Sequence, residues 1–179
     1  MDKSGFCFEL IDKETPEEVI RRSIGQIGEA TNQLVAGVIS KYSGYIYSYT
    51  KPIGLAAAIR SVQTSGTVDV DIQEDMGEIS DESHRYEVFL TVKNIDNYKY
   101  RIMFVDYGAV AYPVTIVLNE EIMEEYSTQR RDVYNIYSMQ ELENLLDKII
   151  NSQTLIKLIQ SLIYESLRRE KKTVDEVSP

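Results

Sequence analysis

Apolar residues recur at steps of three and four from Ile20 onward, which is the spacing of one face of an α-helix. A helix start lies just before them. Thr15 can cap the first turn, Pro16 needs no amide donor at the first helical position, and Glu18 completes a T-x-x-E capping box. The pattern predicts one helix from Pro16 to about Tyr42, with Gly44 ending it. The apolar row comprises Ile20, Ile24, Ile27, Leu34, Val38 and Tyr42, with Thr31 filling the gap between Ile27 and Leu34.

Three glycines, Gly25, Gly28 and Gly37, fall within this predicted helix. Each weakens a helix by up to about 1 kcal/mol relative to alanine. We expect close packing against another element to compensate for them, because a glycine lets a neighbouring backbone approach.

Alternation of apolar and polar residues predicts strands in the middle of the chain. Short joints at 94–97 and 106–108 have the composition of hairpin loops. Parallel pairing would need long crossovers, so we predict an antiparallel meander. The predicted strands are 67–72, 85–93, 98–107 and 112–118, with 5–11 and 133–137 as further candidates. The predicted core-facing rows are Tyr86, Val88, Leu90 and Val92, then Tyr98, Tyr100, Ile102 and Phe104, then Val114, Ile116 and Leu118.

Helical patterns return after the strands. Asn119 can cap a short helix over 119–126, and Ser138 with Glu141 forms a second capping box before an amphipathic helix. Residues 151–152 separate this helix from another that reaches about residue 172, and we expect a frayed tail over 173–179. The fold class predicted is therefore α+β, as one domain over 1–172. It has an antiparallel sheet of four to six strands, a long N-terminal helix and a C-terminal helix pair.

Composition fits one domain with a core, since the chain has 179 residues, 43% hydrophobic and 27% charged. No run of eighteen apolar residues is present, so we expect no membrane span. The N-terminal residues lack the apolar stretch of a secretory signal. The lone Cys7 excludes an intramolecular disulfide and suits a reducing interior. We expect a cytoplasmic protein.

The net charge is −10, from 29 acidic and 19 basic residues. A field of this sign repels phosphate backbones, so binding to nucleic acid is disfavoured.

Signatures of catalysis are absent from the sequence. The single histidine, His84, excludes any site that needs two imidazoles, and nothing near Cys7 marks it as half of a Cys–His dyad. Phosphate-binding, dinucleotide-binding and nucleophile-elbow motifs are missing. Glu87 and Lys93 are six apart, about 20 Å along a strand, so a nuclease-type metal arrangement fails on geometry. We expect no catalytic residue and no cofactor.

The acidic stretch 69–82 is a candidate metal site, because calcium prefers oxygen ligands from a short loop. Its acids do not follow the order of a calcium-binding loop. A solvated acidic loop is favoured, and we expect no metal.

Four tyrosines lie in the stretch K-Y-S-G-Y-I-Y-S-Y-T at residues 41–50. Alternation places Tyr45, Tyr47 and Tyr49 on one face of a strand, where each ring can pack while its hydroxyl reaches water. We interpret the stretch as a half-buried strand. A platform for a ligand or partner is the alternative.

Two functional hypotheses follow. The first is a non-enzymatic macromolecule-binding protein, such as an immunity or antitoxin-like protein or a complex subunit. It would act on a protein partner, or on a second copy of itself, through an exposed aromatic sheet face. This face would also include Val105 and Val117. The proposed partner-binding residues are Phe89, Lys93, Lys99, Arg101, Met103 and Tyr107.

The second hypothesis is a small-molecule-binding or enzymatic α+β cup. Tyrosine hydroxyls would converge inside a largely apolar pocket, an arrangement that small ligands commonly use. Its lining residues would be Tyr45, Tyr47, Tyr86, Tyr98 and Tyr100.

Overall fold

The computed structural model describes residues 14–44, 46, 83–126 and 132–177. Within these residues the helices are α1 (Pro16–Ala30), α2 (Glu120–Tyr126), α3 (Met139–Ile150) and α4 (Gln153–Val177). The strands are β1 (Val35–Lys41), β2 (His84–Val92), β3 (Tyr100–Tyr107), β4 (Val114–Leu118) and β5 (Val133–Ile136). The strands expected at 5–11 and 67–72, residues 73–82 of an exposed loop expected at 73–84, and Tyr45, Tyr47 and Tyr49 lie outside the described residues. The loop prediction is wrong at His84, which is the first residue of β2.

The five strands form one antiparallel sheet in chain order, from β1 at one edge to β5 at the other. Ile39 lies opposite Val88, and Val105 lies opposite Ile116, so apolar residues meet across neighbouring strands. This arrangement confirms the predicted α+β class and its meander.

The predicted helix to Tyr42 is wrong beyond Ala30, so Gly44 does not end it. Asn32 and Gln33 have positive φ values of 50° and 62°, which turn the chain out of the helix. The Thr31 hydroxyl lies 2.7 Å from the carbonyl oxygen of Val35 and accepts the Val35 amide at 3.2 Å, which fixes the turn. The chain then returns as strand β1.

Gly37 explains why α1 and β1 pack so closely. A Cβ at this position would lie 2.7 Å from the backbone oxygen of Ile24 and 2.9 Å from its Cβ. Gly28 is similarly confined by the side chain of Gln33, whereas a Cβ at Gly25 would meet nothing within 4 Å. The expected close packing against another element is confirmed at Gly37. It is not confirmed at Gly28, which meets the Gln33 side chain of the turn after α1, or at Gly25.

All the helices that the structure describes contribute to one hydrophobic core on one face of the sheet, which we call the core face. Helix α1 packs on β1 and on α3, and α4 packs on α2 and on the ends of β1 and β2. The core-face row of β2 is fully as predicted, since Tyr86, Val88, Leu90 and Val92 are all buried. We call the other side of the sheet the open face.

Helices α1 and α3 begin at the capping residues that the sequence indicated, and two details differ from the prediction. Thr15 and Glu18 form the full capping box of α1. Ser138 accepts the Glu141 amide at 3.3 Å, but the Glu141 carboxylate bonds the Tyr137 amide instead of the Ser138 amide. Helix α4 continues past residue 172 to Val177.

Candidate functional site on the open face

A β-bulge decides which side chains reach the open face. Val88 pairs with Met103, but the next residue, Phe89, pairs with Arg101, so Ile102 is an extra residue in β3. An extra residue reverses the alternation, because side chains change face at every position. As a result Phe104, which was predicted to face the core, pairs with Glu87 and Val117 on the open face.

The same bulge corrects two of the proposed partner-binding residues. Met103 is 1% exposed and Tyr107 is 6% exposed, and both belong to the hydrophobic core under the helices. Val105, expected beside them, is also buried there. These residues are therefore on the face opposite to Phe89.

A buried carboxylate organises the open face. Glu87 is 6% exposed. Its Oε2 accepts hydrogen bonds from Nε of Arg101 at 3.2 Å and from a terminal nitrogen of Arg101 at 2.9 Å. Its Oε1 forms an ion pair with Lys99 and accepts the Ser40 hydroxyl at 3.2 Å. One carboxylate thus fixes two cations, and both remain partly exposed to solvent.

These contacts determine the protonation of Glu87. Burial alone would raise the pKa of this carboxyl, but hydrogen bonds from Lys99 and Arg101 and the attraction of their charges outweigh it. The pKa of Glu87 is therefore lowered from its ordinary value, and the group is ionised at neutral pH.

Aromatic rings hold the same two cations in place. The Lys99 ammonium lies 4.1 Å from the centre of the Phe89 ring, and the Arg101 guanidinium lies 4.5 Å from that of Phe104. Tyr42 packs on Phe104 with ring centres 4.7 Å apart. Cations at such distances are attracted by the negative face of the ring. We name Phe89, Lys99, Arg101 and Phe104, together with Glu87 beneath them, the cation–aromatic cluster.

A small hydrophobic cluster continues the open face toward β4 and β5. Its buried members are Ile46 and Val117, with Tyr42, Phe104 and Val133 packed against them. Nearby, the buried Asp106 accepts a hydrogen bond from Nε of Arg85 at 2.9 Å and one from Ser83 at 3.2 Å. The end of the face around the cation–aromatic cluster is less deeply buried, and Thr91 and Val38 there are only partly buried.

Of the proposed partner-binding residues, the structure brings Phe89, Lys99 and Arg101 together. Lys93 does not join them, since its ammonium pairs with Glu170 of α4 at 3.7 Å and its carbonyl accepts the Ser166 hydroxyl.

The tyrosines proposed for the ligand cup do not converge among the described residues. Tyr86 lies near one end of β2, whereas Tyr100 lies opposite Leu90, four positions along that strand or about 13 Å away. Burial and a hydrogen bond to Glu121 raise the pKa of Tyr100, and burial raises that of Tyr98.

The hydroxyl of Tyr86 serves a different contact. Burial, followed by a hydrogen bond to Glu17 of α1, raises the pKa of Tyr86. The same bond is the main reason why the pKa of Glu17 is lowered. Tyr86 therefore joins the sheet to α1.

Sequence reasoning missed Glu87 and Phe104 as members of the site. One signal was available for the first. A carboxylate stands between apolar residues in R-Y-E-V-F-L, and two cations stand two residues apart in K-Y-R on the next strand. Antiparallel pairing brings such residues face to face, which favours a cross-strand ion pair.

The described residues contain no group of three His, Cys, Asp or Glu side chains that could hold a metal ion. None of the described helices is long and apolar enough to cross a membrane. Neither the protein-family models, nor the curated proteins, nor the solved structures contain a match to this chain. Function is therefore inferred from the geometry of the open face.

Proposed function

We propose that this chain is a non-enzymatic protein that binds another protein through the open face, with the cation–aromatic cluster at the centre of the contact. The observation that supports this is the fixed position of two partly exposed cations, each on an aromatic ring and both bound to the buried Glu87. Aromatic residues and arginine are enriched where protein interfaces concentrate their binding energy.

Preorganisation favours binding at this cluster. A free arginine or lysine side chain loses rotamer freedom when it enters an interface, at roughly 0.5–1.5 kcal/mol for each immobilised side chain. Lys99 and Arg101 are already restrained by Glu87 and the rings. These two side chains therefore lose less rotamer freedom when a partner binds.

The charge of the whole chain suggests the sign of the partner. At −10, the protein attracts a basic partner at long range, as an immunity or antitoxin-like protein does with a basic effector. At the contact itself, Lys99 and Arg101 are suited to acceptor groups on that partner. A complex subunit is the other version of this proposal. The lone Cys7 suits a reducing compartment, and we place the protein in the cytoplasm.

The first experiment identifies the partner by crosslinking from two defined positions on the protein surface. A photo-crosslinking amino acid is introduced at Thr91, on the open face, and separately at Gln160, which is exposed on α4. We expect a specific crosslinked protein from the Thr91 position only. The same product from both positions, or none from Thr91, contradicts the proposal.

The second experiment measures binding of that purified partner by calorimetry. R101Q should weaken binding about tenfold or more, as expected for an interface residue that contributes over 1 kcal/mol. R168Q is the matched control, because Arg168 is also paired with a glutamate and its side chain is 45% exposed, against 42% for Arg101.

Because R101Q also removes a contact within the fold, T91R serves as a second variant that adds bulk to the open face and leaves the cluster intact. It should weaken binding as well, while Q160R should not. Binding unchanged by both open-face variants refutes the proposed surface.

A further inference from the structure

Strand β1 is an edge strand of the sheet that the structure describes, so one side of its backbone has no neighbouring strand there. On the other side, the carbonyl oxygen of Leu34 accepts the Lys93 amide at 2.9 Å, and the Tyr42 amide donates to the Arg85 carbonyl oxygen at 3.0 Å. Even-numbered residues of this segment therefore direct their backbone groups toward β2, because the direction alternates at each residue of an antiparallel strand. The outward backbone groups are those of Val35, Gly37, Ile39 and Lys41.

One end of this edge is closed by the fold itself. The Thr31 hydroxyl lies 2.7 Å from the carbonyl oxygen of Val35 and 3.2 Å from its amide nitrogen, so both outward groups of Val35 are paired. Among the residues that the structure describes, the outward groups of Gly37, Ile39 and Lys41 have no hydrogen-bond partner. The N–H and C=O groups of these three residues are therefore available to another strand.

The length and composition of β1 favour the addition of a strand. Natural proteins protect sheet edges by making them very short or by placing charged residues or proline in them. At the opposite edge of the described sheet, β5 has only four residues. Strand β1 has seven, and its one charged residue, Lys41, is the last of them. Strand β1 is therefore the less protected of the two edges.

The outer edge of β1 is continuous with the cation–aromatic cluster. Val38 lies opposite Phe89, and Ser40 lies opposite Glu87 and donates its hydroxyl to that carboxylate at 3.2 Å. A strand added to β1 places alternate side chains on the open face beside Val38 and Ser40, because residues directly opposite each other share a face. The edge and the cluster therefore form one surface.

We propose that an extended segment of the protein partner pairs antiparallel with the outer edge of β1 and extends the sheet by one strand. This contact rests on the proposed function, because the partner is the protein that binds at the cation–aromatic cluster. Strand addition gives affinity through main-chain hydrogen bonds and specificity through alternate side chains.

The chemistry of the segment follows from the two sides of β1. A side chain opposite Ile39 lies on the core-face side, where Ile39 itself is buried, so it should be apolar. A side chain opposite Ser40 lies on the open side, toward the cations of Lys99 and Arg101, so it should carry a carboxylate or another acceptor. The segment should therefore alternate apolar and acceptor-bearing residues.

The substitution K41P tests the backbone contact. Proline lacks an N–H and is tolerated in an edge strand where that N–H faces away from the sheet, so K41P should keep the pairing of β1 with β2. Calorimetry with the partner captured from Thr91 should show about tenfold weaker binding, because a carbonyl of the segment is left without its donor. The matched control K41A removes the same side chain but retains the N–H, and it should bind nearly as well as the parent protein.

N135P is the control for a proline at a sheet edge. The Leu118 amide donates to the carbonyl oxygen of Asp132, which lies opposite it, so Asn135 directs its N–H outward as Lys41 does. Asn135 is exposed on β5, at the far edge of the described sheet. N135P should therefore leave the affinity unchanged, and an equal loss in N135P and K41P overturns the proposal.

Amide hydrogen exchange tests the same contact without any variant. In the free protein the amides of Gly37, Ile39 and Lys41 should exchange fast, and the partner should slow all three while the Asn135 amide is unaffected. Slow exchange of the three amides in the free protein means that the edge is already covered, by the chain itself or by a second copy, and overturns the proposal.

The outcomes separate strand addition from the proposed function. If R101Q and T91R weaken binding while K41P binds as well as K41A, the partner binds the open face and strand addition is wrong. If K41P weakens binding and the two open-face variants do not, strand addition is supported and the cluster is not the centre of the contact. No crosslinked protein from Thr91 contradicts both.

Discussion

Substituting Gly37 by alanine tests the packing of β1 on α1 directly. In a helix running to Tyr42, as the spacing of apolar residues suggested, G37A would stabilise the protein by up to about 1 kcal/mol. In the structure the same substitution should be destabilising. The two arrangements therefore differ in the sign of the effect, not only in its size.

The magnitude follows from the atoms that a new Cβ would meet. They are the carbonyl oxygen of Ile24 at 2.7 Å and the Cβ of Ile24 at 2.9 Å. Both belong to the rigid part of α1, so no flexible side chain can move aside. Overpacking of this kind typically destabilises a protein by about 1–3 kcal/mol. Alanine also lowers the conformational entropy of the unfolded chain relative to glycine, which offsets about 0.4–1 kcal/mol of that loss. We expect a net loss of about 1–2 kcal/mol.

The assay is urea unfolding at equilibrium, with G25A as the matched control. A Cβ at Gly25 meets nothing within 4 Å inside α1, so G25A should raise the free energy of unfolding by about 0.5–1 kcal/mol. In thermal unfolding, 1 kcal/mol corresponds to roughly 2–4 °C for a chain of this size.

The reasoning is refuted if G37A stabilises the protein as G25A does. An equal loss from both glycines also contradicts it, because Gly25 would then be confined by contacts that the structure does not have.

Two further predictions concern buried polar groups. E87Q should lower the free energy of unfolding by about 1 kcal/mol at pH 7. The expected loss is small because solvent screens the two cations that pair with Glu87. The pKa of Glu87 in the folded protein is lowered from 4.5. The stabilisation from its ionised carboxylate is therefore complete above pH 4.5 and is lost as the pH falls through the lowered pKa. Urea unfolding curves of E87Q and the parent protein should therefore converge in acid, and a constant gap would argue against the ion pairs. Y86F should cost about 1 kcal/mol through loss of the bond to Glu17. Y164F should be neutral, since Tyr164 is 71% exposed, and equal effects of the two tyrosine variants would exclude the bond.

The sequence by itself determined most of the local elements. Caps such as Thr15 and Asn119 begin helices by bonding backbone amides within one turn, and the structure has both bonds. The alternation in β2 identified its buried row, because strand side chains change face at every residue. Short joints between the strands then required antiparallel pairing.

The boundary between α1 and β1 was decided by tertiary packing. Leu34, Val38 and Tyr42 are spaced four apart, which fits one face of a helix and equally one face of a strand, since four is also an even number. Pairing of β1 with β2 and its close approach to Ile24 favour the strand. Neither contact is visible in a local pattern.

The open face also depended on tertiary structure. The bulge opposite Val88 and Phe89 exists only in the pairing of two strands, and it moves Phe104 to the open face and Met103 to the core. Glu87 acquires its role only when β3 brings Lys99 and Arg101 beside it. Hydrogen bonds within a turn are encoded by neighbouring residues, whereas the register between strands is set by contacts distant in sequence, and the candidate site is built from the latter.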